Sequence, residues 1–218
     1  MFPNWAKTIL FLLVFMLSGL TLVIIIEGLL SGTDLTPLNT AIEGLISYFR
    51  TPFLTNLMIG VTHIGSPFVL FVSSCLISTL LALHKERYNA ILFIVAMVVA
   101  VVSLVVLKET FQVSRPATDL IDAAGWSFPS GHATVSTAFF FLVGHAFFRW
   151  PRKVSGKVAL VIGSIVGAGL VSFSRLYLGA HWTLDIIAGI ALGILSTSFV
   201  ILVFSVFLRE RSWDRRRL

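Results

Sequence analysis

The side chains able to do chemistry in this chain stand at the ends of apolar runs, and their types describe a place for an anion and a nucleophile. Lys108 closes one run, and Arg115-Pro116 follows seven residues later. Pro129-Ser130-Gly131-His132 opens the next run, Ser174-Arg175 closes another, and His181 and Asp185 open the last. Lys108, Arg115 and Arg175 supply three positive charges and two planar forks that match phosphate oxygens. Ser130 and the Gly131 amide sit where a helix begins, and free amides and the helix dipole there favour an anion. Glycine at 131 lets a ligand approach the backbone closely.

His181 and Asp185 are four residues apart, a spacing that places both on one helix face. The aspartate then accepts a proton from one imidazole nitrogen and leaves the other to attack. His132, from a different helix, can supply a proton to a departing alkoxide. Taken singly, each residue has a simpler explanation, such as a lysine snorkelling to the interface. Together on one side of a membrane they mark a functional site, because charge at that depth is costly. A metal-ligand reading of His181 and Asp185 is the weaker one, since three nearby cations repel a metal ion.

Positioning these residues requires membrane helices. The chain has 218 residues, 57% hydrophobic and only 12% charged, against about 25% charged in a soluble domain. The runs Ile9 to Ile26 and Ala90 to Leu107 contain no charge, and each is long enough to cross a hydrocarbon core of roughly 30 Å. The hydrophobic pattern predicts an all-α, polytopic membrane protein forming a bundle of six transmembrane helices. The spans fall near 9–30, 66–84, 90–108, 131–149, 157–177 and 183–207. The first follows Lys7 and is too long for a cleaved secretory signal core. A short amphipathic helix over 35–50 follows the first span, with Leu35, Leu38, Ile42, Leu45, Ile46 and Phe49 at interfacial spacing. Residues 52–65 are apolar but short, and either extend the second span or form a half-helix. The length leaves room for one domain, 1–218, and no separate soluble unit.

The basic residues test this layout. Six spans place Lys7, Lys85, Arg87, Arg149, Arg152, Lys153, Lys157, Arg209, Arg211, Arg215, Arg216 and Arg217 on one side. Arg50, Lys108, Arg115 and Arg175 fall on the other. Twelve against four predicts both termini in the cytoplasm and the reactive group outside. The formal charge of +6 is therefore topological rather than a nucleic-acid surface. Trp5, Trp150 and Trp213 on the inner side, and Trp126 and Trp182 on the outer, read as interfacial anchors. The lone cysteine, Cys75, has no internal disulfide partner. Gly163 with Gly167, and Gly189 with Gly193, suit close helix packing within a monomer, which would fix His181 against Arg175. Glu27, His63, His84 and His145 belong to no such group. Asp119 and Asp122, in the loop beside it, either disfavour extra negative charge or are simply solvated.

These residues resemble the type 2 phosphatidic acid phosphatases, also called lipid phosphate phosphatases. The family's first motif is Lys, six residues, Arg-Pro, matched by Lys108 through Arg115-Pro116. Its second, Pro-Ser-Gly-His, is residues 129–132. Its third, Ser-Arg, five residues, His, three residues, Asp, is matched by Ser174-Arg175, His181 and Asp185. The resemblance implies a phosphohistidine at His181 supported by Asp185, with His132 as general acid. It implies phosphate binding by Lys108, Arg115, Ser130, Gly131 and Arg175, with no metal and no cofactor. Soluble acid phosphatases and vanadium-dependent haloperoxidases share the site, but the spans point to the membrane branch. Small bacterial members act on phosphatidylglycerol phosphate, undecaprenyl pyrophosphate or lipid A. The expectation is thus a lipid phosphatase of the bacterial inner membrane whose partners are a lipid phosphate and the bilayer. A lipid phosphotransferase and a non-catalytic lipid-binding or translocating protein are the alternatives. The two histidines need opposite protonation states, which predicts a bell-shaped pH dependence.

Overall fold

The computed structural model describes residues 4–32, 36–117, 120–121 and 123–214, and among them every regular element is a helix. Leu35, Asp119, Asp122, Arg215, Arg216 and Arg217 lie outside the described residues, as do the side chains of Leu38, Arg209, Arg211 and Trp213. The elements are α1 (Asn4–Leu30), α2 (Thr36–Tyr48), α3 (Pro52–Ile64), α4 (Pro67–Leu83), α5 (Arg87–Phe111), α6 (Gly131–Phe147), α7 (Val154–Tyr177) and α8 (Thr183–Asp214).

Residues 52–65 form a helix of their own. Thr51 caps α3 by accepting from the Leu54 amide, and Ser66 caps α4 by accepting from the Val69 amide. A proline follows each cap, at Pro52 and Pro67. Proline suits a first helical position but disfavours helical geometry in the residue before it. The chain therefore stops, bends by 47° and restarts. A Cβ at Gly65, inside the bend, would stand 2.4 Å from the Val171 side chain. Only glycine lets this break lie against α7.

Four helices are long and apolar enough to cross a membrane: Trp5–Leu30, Arg87–Phe111, Val154–Tyr177 and Thr183–Val206. The bent α3–α4 pair passes the same test when its two halves are taken together, as one broken span or a re-entrant loop. At 17 residues, α6 sits at the lower end of the spanning range of roughly 17–25. It is also well enclosed by other helices. Ala133 through Phe139, Leu142 and Ala146 are all buried, and α4, α5, α7 and α8 pack around it. The outer helices turn apolar side chains outward, such as Leu13, Leu17 and Leu20 on α1 and Ile162, Ile165 and Val166 on α7. Such faces are stable where the surrounding solvent is acyl chain.

The glycine spacings act differently from the expectation. Those of α8 meet α6, not α7. A Cβ at Gly189 would lie 2.7 Å from the Ser130 carbonyl oxygen, and one at Gly193 2.6 Å from that of Thr134. Gly163 has open space around it, and Gly167 faces the Phe140 ring. Close packing therefore fixes the start of α8 against the start of α6. It sets His181 and Asp185 relative to Ser130 and His132 rather than to Arg175.

Candidate active site

The four segments singled out by their residue types do meet, at one end of the bundle. Lys108, in the last turn of α5, donates to the Trp126 carbonyl and interacts electrostatically with Arg115, Asp185 and Arg175. Behind it Gln112 turns the chain into the loop with a left-handed φ of 46°. The Ser127 amide then donates to the Val113 carbonyl at 2.7 Å, and the Trp182 indole donates to the Ser114 carbonyl at 2.9 Å. These bonds hold Arg115 over the start of α8.

The α7–α8 turn brings Arg175 and His181 together. The Leu178, Gly179 and Ala180 amides donate to the carbonyls of Ser174, Leu176 and Arg175. Gly179 takes a φ of 69°, a left-handed helix terminus that only glycine adopts without strain. Arg175 is buried and its Nη1 donates to Thr62 Oγ1 on α3 at 3.0 Å. His132, in the first turn of α6, lies within electrostatic reach of Arg175, His181 and Arg115, and its ring meets the Thr62 backbone. Ser130 caps α6, and its amide donates to the Asp185 carbonyl at 3.0 Å. A Cβ at Gly131 would make only ordinary contacts with Leu104 and Pro67, so packing within the protein does not require that glycine.

His181 and Asp185 meet in a way that the spacing did not indicate. His181 precedes α8 rather than lying on it, and Asp185, in the first turn, reaches back to accept the Trp182 amide at 2.9 Å. The gap from His181 Nδ1 to Asp185 Oδ2 is 3.4 Å, longer than a well-formed N–H···O bond of about 2.7–3.2 Å. Ser127 Oγ lies 3.3 Å from Nδ1 and donates a short hydrogen bond to the same Oδ2. On the far side of the ring, His181 Nε2 is 3.3 Å from Arg115 Nη1.

Arg115 is more enclosed than a simple phosphate clamp. Its guanidinium donates to the carbonyls of Gly125 (2.9 Å), Ala180 (2.6 Å) and Ala124 (2.9 Å), and more distantly to that of Trp126. Trp126 and Trp182 therefore belong to the framework of the site as well as to its rim. Burial pushes the His181 imidazole down from its ordinary 6.5 to about 4; Asp185 opposes this shift, while Arg115 and Arg175 reinforce it.

Sequence reasoning missed Ser127, Thr62 and the α2 wall. A shallow, open pocket lies beside His181 and is lined on its other side by Asn39 and Glu43 of α2. Ser127 stands two residues before Pro129, so its nearness to the second motif was the available signal. Thr62 had none, because it reaches Arg175 across 113 residues of chain. His145 packs edge-on against Phe11 and His84 against Trp150, away from this group. Among the described residues no set of three His, Cys, Asp or Glu side chains converges as metal ligands.

The PAP2 superfamily sequence model matches residues 88–209. Phosphatidylglycerophosphatase B of Bacillus subtilis (strain 168) is 30% identical over 161 residues, covering 71% of this chain and 77% of that protein. An undecaprenyl-diphosphatase of Sulfolobus acidocaldarius is 32% identical over 173 residues, covering 76% and 78%. Among solved structures, a transmembrane PAP2-type phosphatidylglycerolphosphate phosphatase from Bacillus subtilis superposes with a TM-score of 0.78. It is 23% identical, with 87% of this chain and 96% of that one covered, and this likeness speaks for the fold.

Proposed function

The chain belongs to the PAP2 superfamily, and from that footing we propose that it is a membrane phosphatase that removes phosphate from a lipid through a phosphohistidine at His181. The observation that carries this reading is the placement of His181. One ring nitrogen faces the Arg115 guanidinium, and the other faces Ser127 and the Asp185 carboxylate. A pure binding site for phosphate has no need of an imidazole oriented in this way.

In this reading Lys108, Arg115 and Arg175 neutralise the phosphate, with the Ser130 hydroxyl and the Gly131 amide at the start of α6 adding donors. The Nε2 lone pair attacks phosphorus while the bond to the lipid oxygen breaks. His132 protonates that oxygen as it leaves. Water then attacks phosphorus, the P–N bond breaks, and the water's proton returns to His132. Arg115 shares its fork between backbone carbonyls and the incoming anion, so its position is set before substrate arrives. Such pre-arranged charge stabilises the transition state without reorganisation.

The proposal treats residues 1–218 as one phosphatase unit acting as a monomer. It spans the membrane six times, through α1, the α3–α4 pair, α5, α6, α7 and α8, and α2 lies in the interface beside the pocket. The excess of basic residues supports cytoplasmic termini and a site on the outer face. The named relatives support phosphatidylglycerol phosphate and undecaprenyl pyrophosphate as the substrate class, and the proposed location is a bacterial inner membrane. The test is phosphate release by the purified chain from a panel of lipid monophosphates and pyrophosphates. Turnover of at least one is expected; binding of all without release would contradict the reading.

The pH dependence follows from the low imidazole pKa. A base whose pKa is depressed stays neutral and nucleophilic above that value and loses attack as pH falls through it. With His181 near about 4, the acid limb of kcat/KM should fall well below pH 6.5 once the substrate's own titration is divided out. A limb remaining near the ordinary histidine value would contradict His181 as the titrating base.

A further inference from the structure

We propose that Ser127 is a positioning residue beside the contact of Asp185 with His181, its hydroxyl holding the carboxylate while its oxygen shares the imidazole Nδ1 with that carboxylate. The inference rests on the phosphatase reading and adds to it a residue that no motif contains. Ser127 is fully buried, and its backbone is anchored by the bond from its amide to the Val113 carbonyl. Its Oγ stands within reach of both Asp185 Oδ2 and His181 Nδ1.

Donor and acceptor roles in this group are forced from two sides. An ionised carboxylate only accepts, so the single Ser127 O–H points at Asp185. The serine oxygen can then only accept from the imidazole, which places the ring proton on Nδ1. At the opposite end a guanidinium only donates, so the nitrogen that faces Arg115 Nη1 must carry a lone pair, and that nitrogen is Nε2. The two arguments are independent and assign the same tautomer. When Nε2 forms its bond to phosphorus, the lipid oxygen leaves with the bonding pair and the ring becomes an N-phosphoryl imidazolium that keeps Nδ1–H. The positive charge is then met by the serine oxygen, itself polarised by Asp185. No proton needs to move within the group.

The test uses the full chain in detergent with a lipid phosphate substrate. Ser127→Ala should slow phosphoenzyme formation by roughly 10- to 100-fold, the worth of one hydrogen bond to a charged group. Ser127→Cys, nearly the same size but a weak donor, should lose a comparable factor and serves where the alanine variant does not fold. Inhibition by inorganic phosphate should stay within about threefold, because Ser127 does not touch the anion, and the loss should not multiply with that of Asp185→Asn. Rates within about threefold of the parent chain, or losses that multiply, would overturn the proposal. So would a phosphate inhibition constant that worsens in step with the rate. Nitrogen-15 shifts of histidine-labelled protein test the same geometry without turnover. His181 should carry its proton on Nδ1 in the parent chain, and the Nδ1 shift should move in Ser127→Ala as the serine acceptor is lost, while Arg115 keeps Nε2 unprotonated. A parent-chain proton on Nε2 would overturn the role of Ser127 even where lipid phosphatase activity stands.

Discussion

Replacing His181 with alanine is expected to lower lipid phosphate turnover by roughly 10⁴-fold or more, the scale on which removal of a covalent nucleophile is felt. The ring is buried, so the substitution leaves a small void, but His181 lies in a turn whose geometry is set by Gly179 and by backbone bonds from residues 178–180. The bundle should therefore stay folded. Arg115 and Arg175 are held by other contacts, to the carbonyls of residues 124, 125 and 180 and to Thr62. Inorganic phosphate should accordingly still inhibit binding of a fluorescent lipid phosphate to the variant. Loss of turnover with retention of anion binding separates a missing nucleophile from a collapsed site. Near-normal turnover in a clean preparation would remove His181 from the mechanism.

The second large effect concerns His132 and depends on the substrate. A lipid alkoxide is a poor leaving group and needs a proton as the P–O bond breaks, so His132→Ala should cost about 10²- to 10⁴-fold on a lipid phosphate. An aryl phosphate whose phenol is already acidic needs little help, and the same variant should lose less than about tenfold on it. The position of His132 supports this split. It opens α6, meets the backbone of Thr62, and shares the neighbourhood of Arg175 and His181. Steady-state rates on the two substrates, parent against variant, give the ratio. Equal losses on both would mean that His132 helps to bind the phosphate rather than to protonate the leaving group.

The site was legible in the sequence where its residues are tied to helix ends. Lys108 at the end of α5, His132 at the start of α6 and Arg175 at the end of α7 each sit where the apolar run stops, and parallel or antiparallel packing of spans brings such ends to a common level. The break at residues 65–67 was also written locally, as a cap followed by proline, although hydropathy alone did not distinguish a bent pair from one long span. What the sequence withheld depends on which helix faces which. The small-residue spacing of Gly189 and Gly193 announces a close neighbour without naming it, and the neighbour is α6. The four-residue interval between His181 and Asp185 suggested one helix face, yet α8 starts at Thr183, and the two side chains meet only because Asp185 folds back over the helix start. Ser127 and Thr62 carry ordinary hydroxyls in segments with no motif of their own. Their importance comes from contacts across 54 to 113 residues, which a local pattern does not encode for Thr62 and only hints at for Ser127, two residues before Pro129.

The most direct measurement is rapid mixing of the purified chain with a lipid carrying labelled phosphate, quenching in base within a turnover, and mapping the label by peptide. Label on Nε2 of His181, stable to alkali, lost in acid and absent from His181→Ala, is the predicted result. Phosphate released with no labelled peptide at any time point, or label on another side chain, would contradict the account.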